Sequence, residues 1–198
     1  MQEDTTDIVK NNKNMENTLV FVHDENTNKD YTSLNMYDKK TKAFDVLLMP
    51  CDAQVSVSES LVKELRETIS DISSTVSMSD VARAFGDKKY ETYVKIMEDI
   101  SGVKISGYAV MSSNDFKKLL NAGNTVTYHL DHAVSYRDAD NVLQSIEAGD
   151  VELDGDTAYA LMTYMDGTDD EETRRLERAN DYLTKYMEEI FTKNDNSA

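Results

Sequence analysis

Apolar residues in this chain come in short runs of two kinds, and their spacing decides what each predicts. Thr18 to His23 (TLVFVH) is a compact apolar run, and Asp24 to Asp30 (DENTNKD) supplies the turn residues that end it. Tyr31 to Tyr37 alternates, the turn Asp38-Lys39-Lys40-Thr41 follows, and Phe44 to Met49 (FDVLLM) is nearly continuously apolar. Three successive strands are expected, the third central and buried on both faces because its run is nearly continuously apolar. It stops at Pro50, the single proline of the chain, and Cys51 and Asp52 follow at a strand end, where binding groups of α/β folds tend to sit.

The second kind of run repeats at three- and four-residue steps. Glu59 to Ile72 carries Leu61, Leu65, Ile69 and Ile72 at helical spacing, and the Ser/Thr-rich stretch Ser73 to Ser79 ends it. A short helical piece, Asp80 to Phe85, leads through Gly86 into Lys88 to Ile100, with Tyr90, Tyr93, Val94 and Met97 on one face and Gly102 as its cap. Val103 to Met111 reads as a strand. Ser113 or Asn114 is the expected N-cap of a helix over Asp115 to Asn121, with Gly123 as a left-handed terminator. Thr125 to Leu130 alternates as a half-buried strand, a loop is expected from Asp131 to Asn141, and a short apolar run follows at Val142 to Ile146. Asp156 to Met165 and Glu171 to Thr192 are the last two predicted helices. Strands and helices interleave, so the class is α/β or mixed α+β, a mostly buried sheet flanked by helices. One domain with one core is expected over 17–192, behind a polar leader at 1–16 and ahead of a tail at 193–198.

Composition narrows the function classes. Hydrophobic content of 39% with 30% charged residues suits a globular protein, while 21 basic against 38 acidic residues give a net charge of −17. So negative a surface repels nucleic acid and anionic lipid headgroups, and no basic run offsets it. One cysteine excludes an internal disulfide, and no apolar run reaches the roughly 20 residues needed to cross a bilayer.

Candidate chemistry is sparse. Arg174, Arg175 and Arg178 form the one dense group of arginines, on the first turns of the last helix, whose stripe of Leu176, Ala179, Leu183, Met187 and Ile190 leaves Arg175 and Arg178 together on a neighbouring face. Two guanidiniums at that spacing can grip one anion; they can equally pair with Glu171, Glu172 and Glu177 on a solvated helix. Asp150-Val-Glu-Leu-Asp-Gly155 begins like a calcium loop but has Leu161 where the bidentate carboxylate belongs. The acidic turn Asp166 to Glu172 is the placement a helix dipole favours. His23, His129 and His132 do not make a local zinc site, and Cys51 lacks the surroundings of a nucleophile. The 10 Met and 11 Tyr residues suit a packed core or an adaptable apolar pocket.

Five segments, in order, carry a resemblance to a known family. YDKKTKAFDVLLMPCD is similar to a strand-turn-strand ending in Pro-Arg-Asp, and DVARAFGD to Asn-Ala-Ala-Tyr-Ala-Tyr-Gly-Gly. ISGYAVMSSNDFKKLLNA is similar to a tyrosine strand with a Phe-Lys-Lys-Leu helix. VELDGDTAYALMTYM and RRLERANDYL are similar to Leu-Asn-Gly-x-x-Ala-Leu and Arg-x-x-Arg-Gln. From Thr18 to Phe191 the chain thus resembles the LytR-CpsA-Psr (LCP) family, also called the cell-envelope-related transcriptional attenuator domain. The resemblance implies an extracytoplasmic domain tethered by a membrane helix absent from this chain, with a hydrophobic tunnel for a polyprenyl chain and arginines at its mouth for the pyrophosphate. It further implies Mg²⁺-assisted transfer of anionic glycopolymers from that lipid onto peptidoglycan, with cell-envelope proteins as further partners.

Carried over residue by residue, the resemblance keeps Asp52 as the catalytic or metal-binding carboxylate and Arg175 and Arg178 as phosphate ligands; Arg83 stands where the family has tyrosine and adds a cation. The Pro-Arg-Asp arginine falls on Cys51, the metal-binding aspartate on Asn17, an Arg-x-Arg pair on Thr163 and Met165, and an aspartate on Glu172. With those cations gone from a chain of charge −17, a diverged, lipid-binding or accessory domain without transferase activity is expected. An active Mg²⁺-dependent glycopolymer phosphotransferase and a protein-interaction domain with a closed tunnel are the alternatives.

Overall fold

A computed structural model describes residues 14–195 except 124, 139 and 166; for 191–195 it describes the backbone alone. Residues 1–13 of the expected leader and 196–198 of the expected tail lie outside the described residues. The strands are β1 (Met15–Asp24), β2 (Lys29–Asp38), β3 (Phe44–Met49), β4 (Gln54–Ser56), β5 (Thr75–Ser77), β6 (Gly107–Ser112), β7 (Val126–Leu130), β8 (Val134–Arg137), β9 (Leu143–Ile146) and β10 (Gly149–Leu153). The helices are α1 (Glu59–Leu65), α2 (Met78–Phe85), α3 (Lys89–Ser101), α4 (Ser113–Ala122), α5 (Gly155–Thr163) and α6 (Glu171–Asp195). The fold is mixed α/β, with a four-stranded sheet in the order β3-β2-β1-β6 flanked by helices.

Two compact units divide the chain. The first takes residues up to Phe21, Asp30–Ala43 and Met49–Ala109; the second takes Val22–Lys29, Phe44–Leu48 and Val110 onward. Each has its own apolar cluster. In the first unit, Leu19, Phe21 and Leu34 pack with Leu61, Val76, Val81, Ile96 and Met97. In the second, Val126, Tyr128, Leu153 and Leu161 pack with Ala179, Tyr182 and Tyr186.

Several elements differ from the sequence expectation. β3 is an edge strand, not a central one: its residues alternate in burial, and Leu47 is 50% exposed. A nearly continuous apolar run, here interrupted by the exposed Asp45, is compatible with either place, and the pairing partners decide between them. α1 ends at Leu65, seven residues early, because the Glu67-Thr68-Ile69-Ser70-Asp71 stretch is poor in helix formers; the carbonyl of Ile72 instead accepts a bond from Arg66 Nε at 3.3 Å. β6 starts at Gly107 rather than Val103. Before it, the Ile105 N–H goes to Glu98 Oε1 (2.9 Å) and the Ser106 N–H to the Asn17 carbonyl (2.7 Å).

The N-cap of α4 is Ser112, whose hydroxyl accepts from the Asp115 N–H at 3.1 Å. Gly102 is left-handed at φ 67°, as expected. Gly123 is not, with φ −85°; a glycine is needed there because a Cβ would lie 2.1 Å from the Tyr186 hydroxyl. The expected loop from Asp131 to Asn141 contains β8, which pairs with β9 in a hairpin. Asp150 and Glu152, which begin like a calcium loop, are the exposed positions of β10, paired antiparallel with β7 in the register Asp150↔His129 and Glu152↔Thr127.

Candidate functional site

The first unit holds Asp52, Cys51, Arg83 and Asn17. Pro50 ends β3 and its carbonyl accepts the Ala53 N–H at 3.2 Å, which closes a turn with Asp52 at its exposed corner. The Asp52 carboxylate accepts a hydrogen bond from the Ser79 hydroxyl (3.2 Å) on the first turn of α2. Cys51 is half-buried and forms no disulfide. Arg83 lies on the last turn of α2 with its side chain 77% exposed and paired with Asp80 one turn earlier. Asn17 is buried in β1, where its Nδ2 donates to the Lys104 carbonyl (2.9 Å) and its backbone exchanges bonds with Ser106. Its amide therefore fastens residues 104–106 beside β1, a role that a carboxylate could not fill because it has no N–H to give.

Elsewhere in this unit, Lys89 pairs with Asp30, which also accepts from the Tyr90 hydroxyl at 3.3 Å. Burial disfavours the Lys89 charge, but the hydrogen bond and the attraction of Asp30 outweigh it and hold the ammonium above its ordinary pKa.

The second unit holds the two family-matched arginines. Arg175 is not on a solvated face: it is 4% exposed and continues the buried line Ala179, Tyr182, Tyr186, while Leu183, Met187 and Ile190 only flank it. The buried stripe of α6 is thus displaced around the helix from the predicted one, because tyrosines supply much of its apolar area. Arg175 Nε and Nη2 donate to the two carboxylate oxygens of Glu172 at 2.8 and 2.7 Å, and Nη1 reaches the Met162 carbonyl at 3.5 Å. Arg178 Nη2 donates to the Tyr164 carbonyl at 2.6 Å, with its guanidinium 5.2 Å from the Tyr164 ring centre. Both arginines therefore sit at the C-terminal end of α5, whose last carbonyls lack intrahelical partners and whose dipole attracts cations. Glu171, expected among their partners, accepts the Gly167 N–H instead (2.6 Å).

The residues that replace the family's other arginines are engaged locally. Thr163 Oγ1 donates back to the Tyr159 carbonyl at 2.8 Å, and Met165 is half-buried. Asp24, at the end of β1, was not singled out by sequence reasoning. It is 6% exposed, its Oδ2 accepts from the Tyr159 hydroxyl at 3.0 Å, and its Oδ1 accepts the N–H groups of Asn26 (2.8 Å) and Thr27 (3.3 Å). The available signal was a carboxylate directly closing an apolar strand, which reads equally as the first residue of a turn.

Asp52 brings one exposed carboxylate and one serine, both oxygens of Asp24 are already engaged, and the exposed His129 stands between Asp150 (Nδ1 to Oδ1, 2.6 Å) and Asp131 (Nε2 to Oδ1, 3.7 Å). Among the described residues no group of three or more His, Cys, Asp or Glu side chains is placed to hold a metal ion. Mg²⁺ is commonly held by one or two carboxylates together with substrate phosphates, and Asp52 is the exposed carboxylate that would be available to it; no chemical step is derived through such an ion. No helix among the described residues is long and apolar enough to cross a membrane.

The family model of the LytR_cpsA_psr family matches residues 2–196. Among solved structures, a transcriptional regulator from Enterococcus faecalis superposes with a TM-score of 0.66 at 15% identity, over 91% of this chain and 60% of its own. B. subtilis TagV gives 0.62 at 15% identity, over 89% and 66%. The LytR-CPS2A-psr family protein YwtF (TagT), solved with bound octaprenyl pyrophosphate lipid, gives 0.56 at 16% identity, over 89% and 65%. This chain spans less than two thirds of the length of each of these three, and at such identities the likeness is one of fold. No curated protein matches it.

Proposed function

Because the chain belongs to the LytR_cpsA_psr family, we propose that it is a diverged LCP domain that binds a polyprenyl-(pyro)phosphate-type lipid at the extracytoplasmic face of the cell membrane and has lost glycopolymer transfer. The lipid chain would occupy a hydrophobic tunnel, and the phosphates would meet Arg175 and Arg178. The lipid seen in YwtF (TagT) supports the ligand class.

The observation that carries the reading is how the two arginines are engaged. Arg175 is buried and neutralised by a two-point bond to Glu172, and Arg178 gives a donor to the Tyr164 carbonyl, so the pair brings less cationic charge than phosphoryl transfer asks of the groups around its phosphates. Arg83 is likewise paired, with Asp80. Binding asks less, because apolar burial of the lipid chain contributes affinity that does not depend on the charge around the phosphates. An accessory role beside other cell-envelope proteins follows. The exposed carboxylate of Asp52 favours the second reading, an active Mg²⁺-dependent phosphotransferase, because an unburied acid is available to a metal or a nucleophile.

Native mass spectrometry with octaprenyl pyrophosphate, with and without Mg²⁺, tests both, run beside Arg178→Ala, Arg178→Lys and Cys51→Arg and paired with a glycopolymer-transfer assay. We expect one lipid per chain, a loss of about tenfold or more in Arg178→Ala, partial retention in Arg178→Lys, and no transfer. Absence of lipid from both the natural chain and Cys51→Arg refutes the binding reading, and measurable transfer by the natural chain refutes the loss of activity.

A further inference from the structure

The first unit contains a cleft of about 370 Å³ between the irregular segment after α1 and the β5–α2 corner. Its floor is apolar: Ile72 and Val76 belong to the core cluster, and Ile69 packs against it. Its rim carries Asp71, Asp80 and Arg83, two negative charges against one positive. Arg83 is already paired with Asp80, whereas Asp71, among the described residues, makes no hydrogen bond or ion pair. Ser77 is the N-cap of α2 by position, yet its side chain makes no capping bond, unlike Ser58 and Ser112 on α1 and α4. A hydroxyl at the cleft wall is therefore not committed to the helix. An apolar floor with a few polar groups at one side is the usual composition of a small-molecule site, and the volume falls at the low end of the usual range.

The sign of the rim decides the ligand class. Asp80, in the first turn of α2, already answers that helix's dipole, and an anion would also meet Asp71 in a chain of net charge −17, so a phosphate or carboxylate is disfavoured; a cation finds Asp71 without a competing partner. We propose that this cleft binds a small ligand carrying a primary ammonium on a short apolar stem, the chemistry shared by hydrophobic amino-acid amides and peptide N-termini. The ammonium bonds Asp71 and the Ser77 hydroxyl, and the stem lies on Ile69, Ile72 and Val76. The site shares Arg83 on its rim with the candidate phosphate cations but includes neither Arg175 nor Arg178, on which the lipid reading rests, so it stands or falls independently of lipid binding.

The test is methyl NMR of the full chain, following Ile69, Ile72 and Val76 during titration with four probes: leucinamide, N-acetyl-leucinamide, leucine, and the peptide amide Leu-Gly-Gly. Saturable shifts are expected with leucinamide, at least tenfold weaker with N-acetyl-leucinamide, which has the same stem and no ammonium, and weaker with leucine, whose carboxylate faces the acidic rim. Asp71→Asn, an exposed loop change, should weaken leucinamide about tenfold or more and leave the other methyl signals in place; Asp80→Asn should cost less, because its charge is shared with Arg83. Tighter binding of Leu-Gly-Gly amide than of leucinamide would assign the site to peptide N-termini, and equal binding to free amines. No shifts, equal shifts with the acetylated probe, or an unchanged affinity in Asp71→Asn would overturn the proposal.

Discussion

Glu172→Gln isolates the buried guanidinium of Arg175. Arg175 is 4% exposed and gives two charge-assisted bonds to a carboxylate whose side chain is 34% exposed. Removing one member of a fully buried pair costs about 3–5 kcal/mol, because the remaining charge is left uncompensated. Here glutamine keeps one acceptor oxygen and water reaches the carboxylate side, so the expected cost is about 2 kcal/mol. For a chain of this size that is a fall in melting temperature of about 4–8 °C. The mirror change should be milder. Arg175→Met fills the same volume with apolar atoms and leaves Glu172 able to turn toward water, for about 1 kcal/mol. Urea unfolding followed by circular dichroism on the two single variants and the double variant gives the coupling energy, expected near 1 kcal/mol or above. A Glu172→Gln variant within about 0.5 kcal/mol of the natural chain, or a coupling indistinguishable from zero, would refute the buried-pair argument.

Two further outcomes follow from local geometry. Gly155→Ala would place a Cβ 2.1 Å from the Lys117 carbonyl oxygen, a backbone atom that cannot swing aside, so it should cost about 3 kcal/mol, readable as a fall of about 6–12 °C in melting temperature. Asp154 caps α5 by accepting from the Thr157 hydroxyl (2.6 Å) and N–H (2.9 Å), and these bonds hold its carboxyl below the ordinary value of 3.8. A group lowered in the folded state contributes its stability above the unfolded value and loses it as pH falls through the folded one. The gap in stability between the natural chain and Asp154→Ala, about 1 kcal/mol at neutral pH from the behaviour of N-caps generally, should therefore narrow below pH 3.8 and not on the alkaline side.

What was legible in the sequence is what short-range physics decides. Alternation placed β7 with Val126, Tyr128 and Leu130 inward, the helical period located α3 and α6, and Gly102 marked a left-handed terminus, because side-chain direction and φ preference act within a few residues. The ordered segments around Asp52, Arg83, Arg175 and Arg178 were also enough to identify the family, since motif order survives where single residues drift.

Pairing, burial and charge compensation belong to the tertiary structure. In β3 a lone Asp45 within an otherwise apolar run did not settle edge against centre, and the run from Asp150 to Leu153 carried no mark of a strand, because both depend on which partner is hydrogen-bonded alongside. The arginines show this most plainly. Spacing on one helix says that Arg175 and Arg178 are near each other; it cannot say that one is buried against Glu172 and the other closes the end of α5, because carbonyls of 162 and 164 reach them only once two helices have packed. Chemical type is written in the chain, but the environment that sets whether a charge is free to bind comes from neighbours distant in sequence.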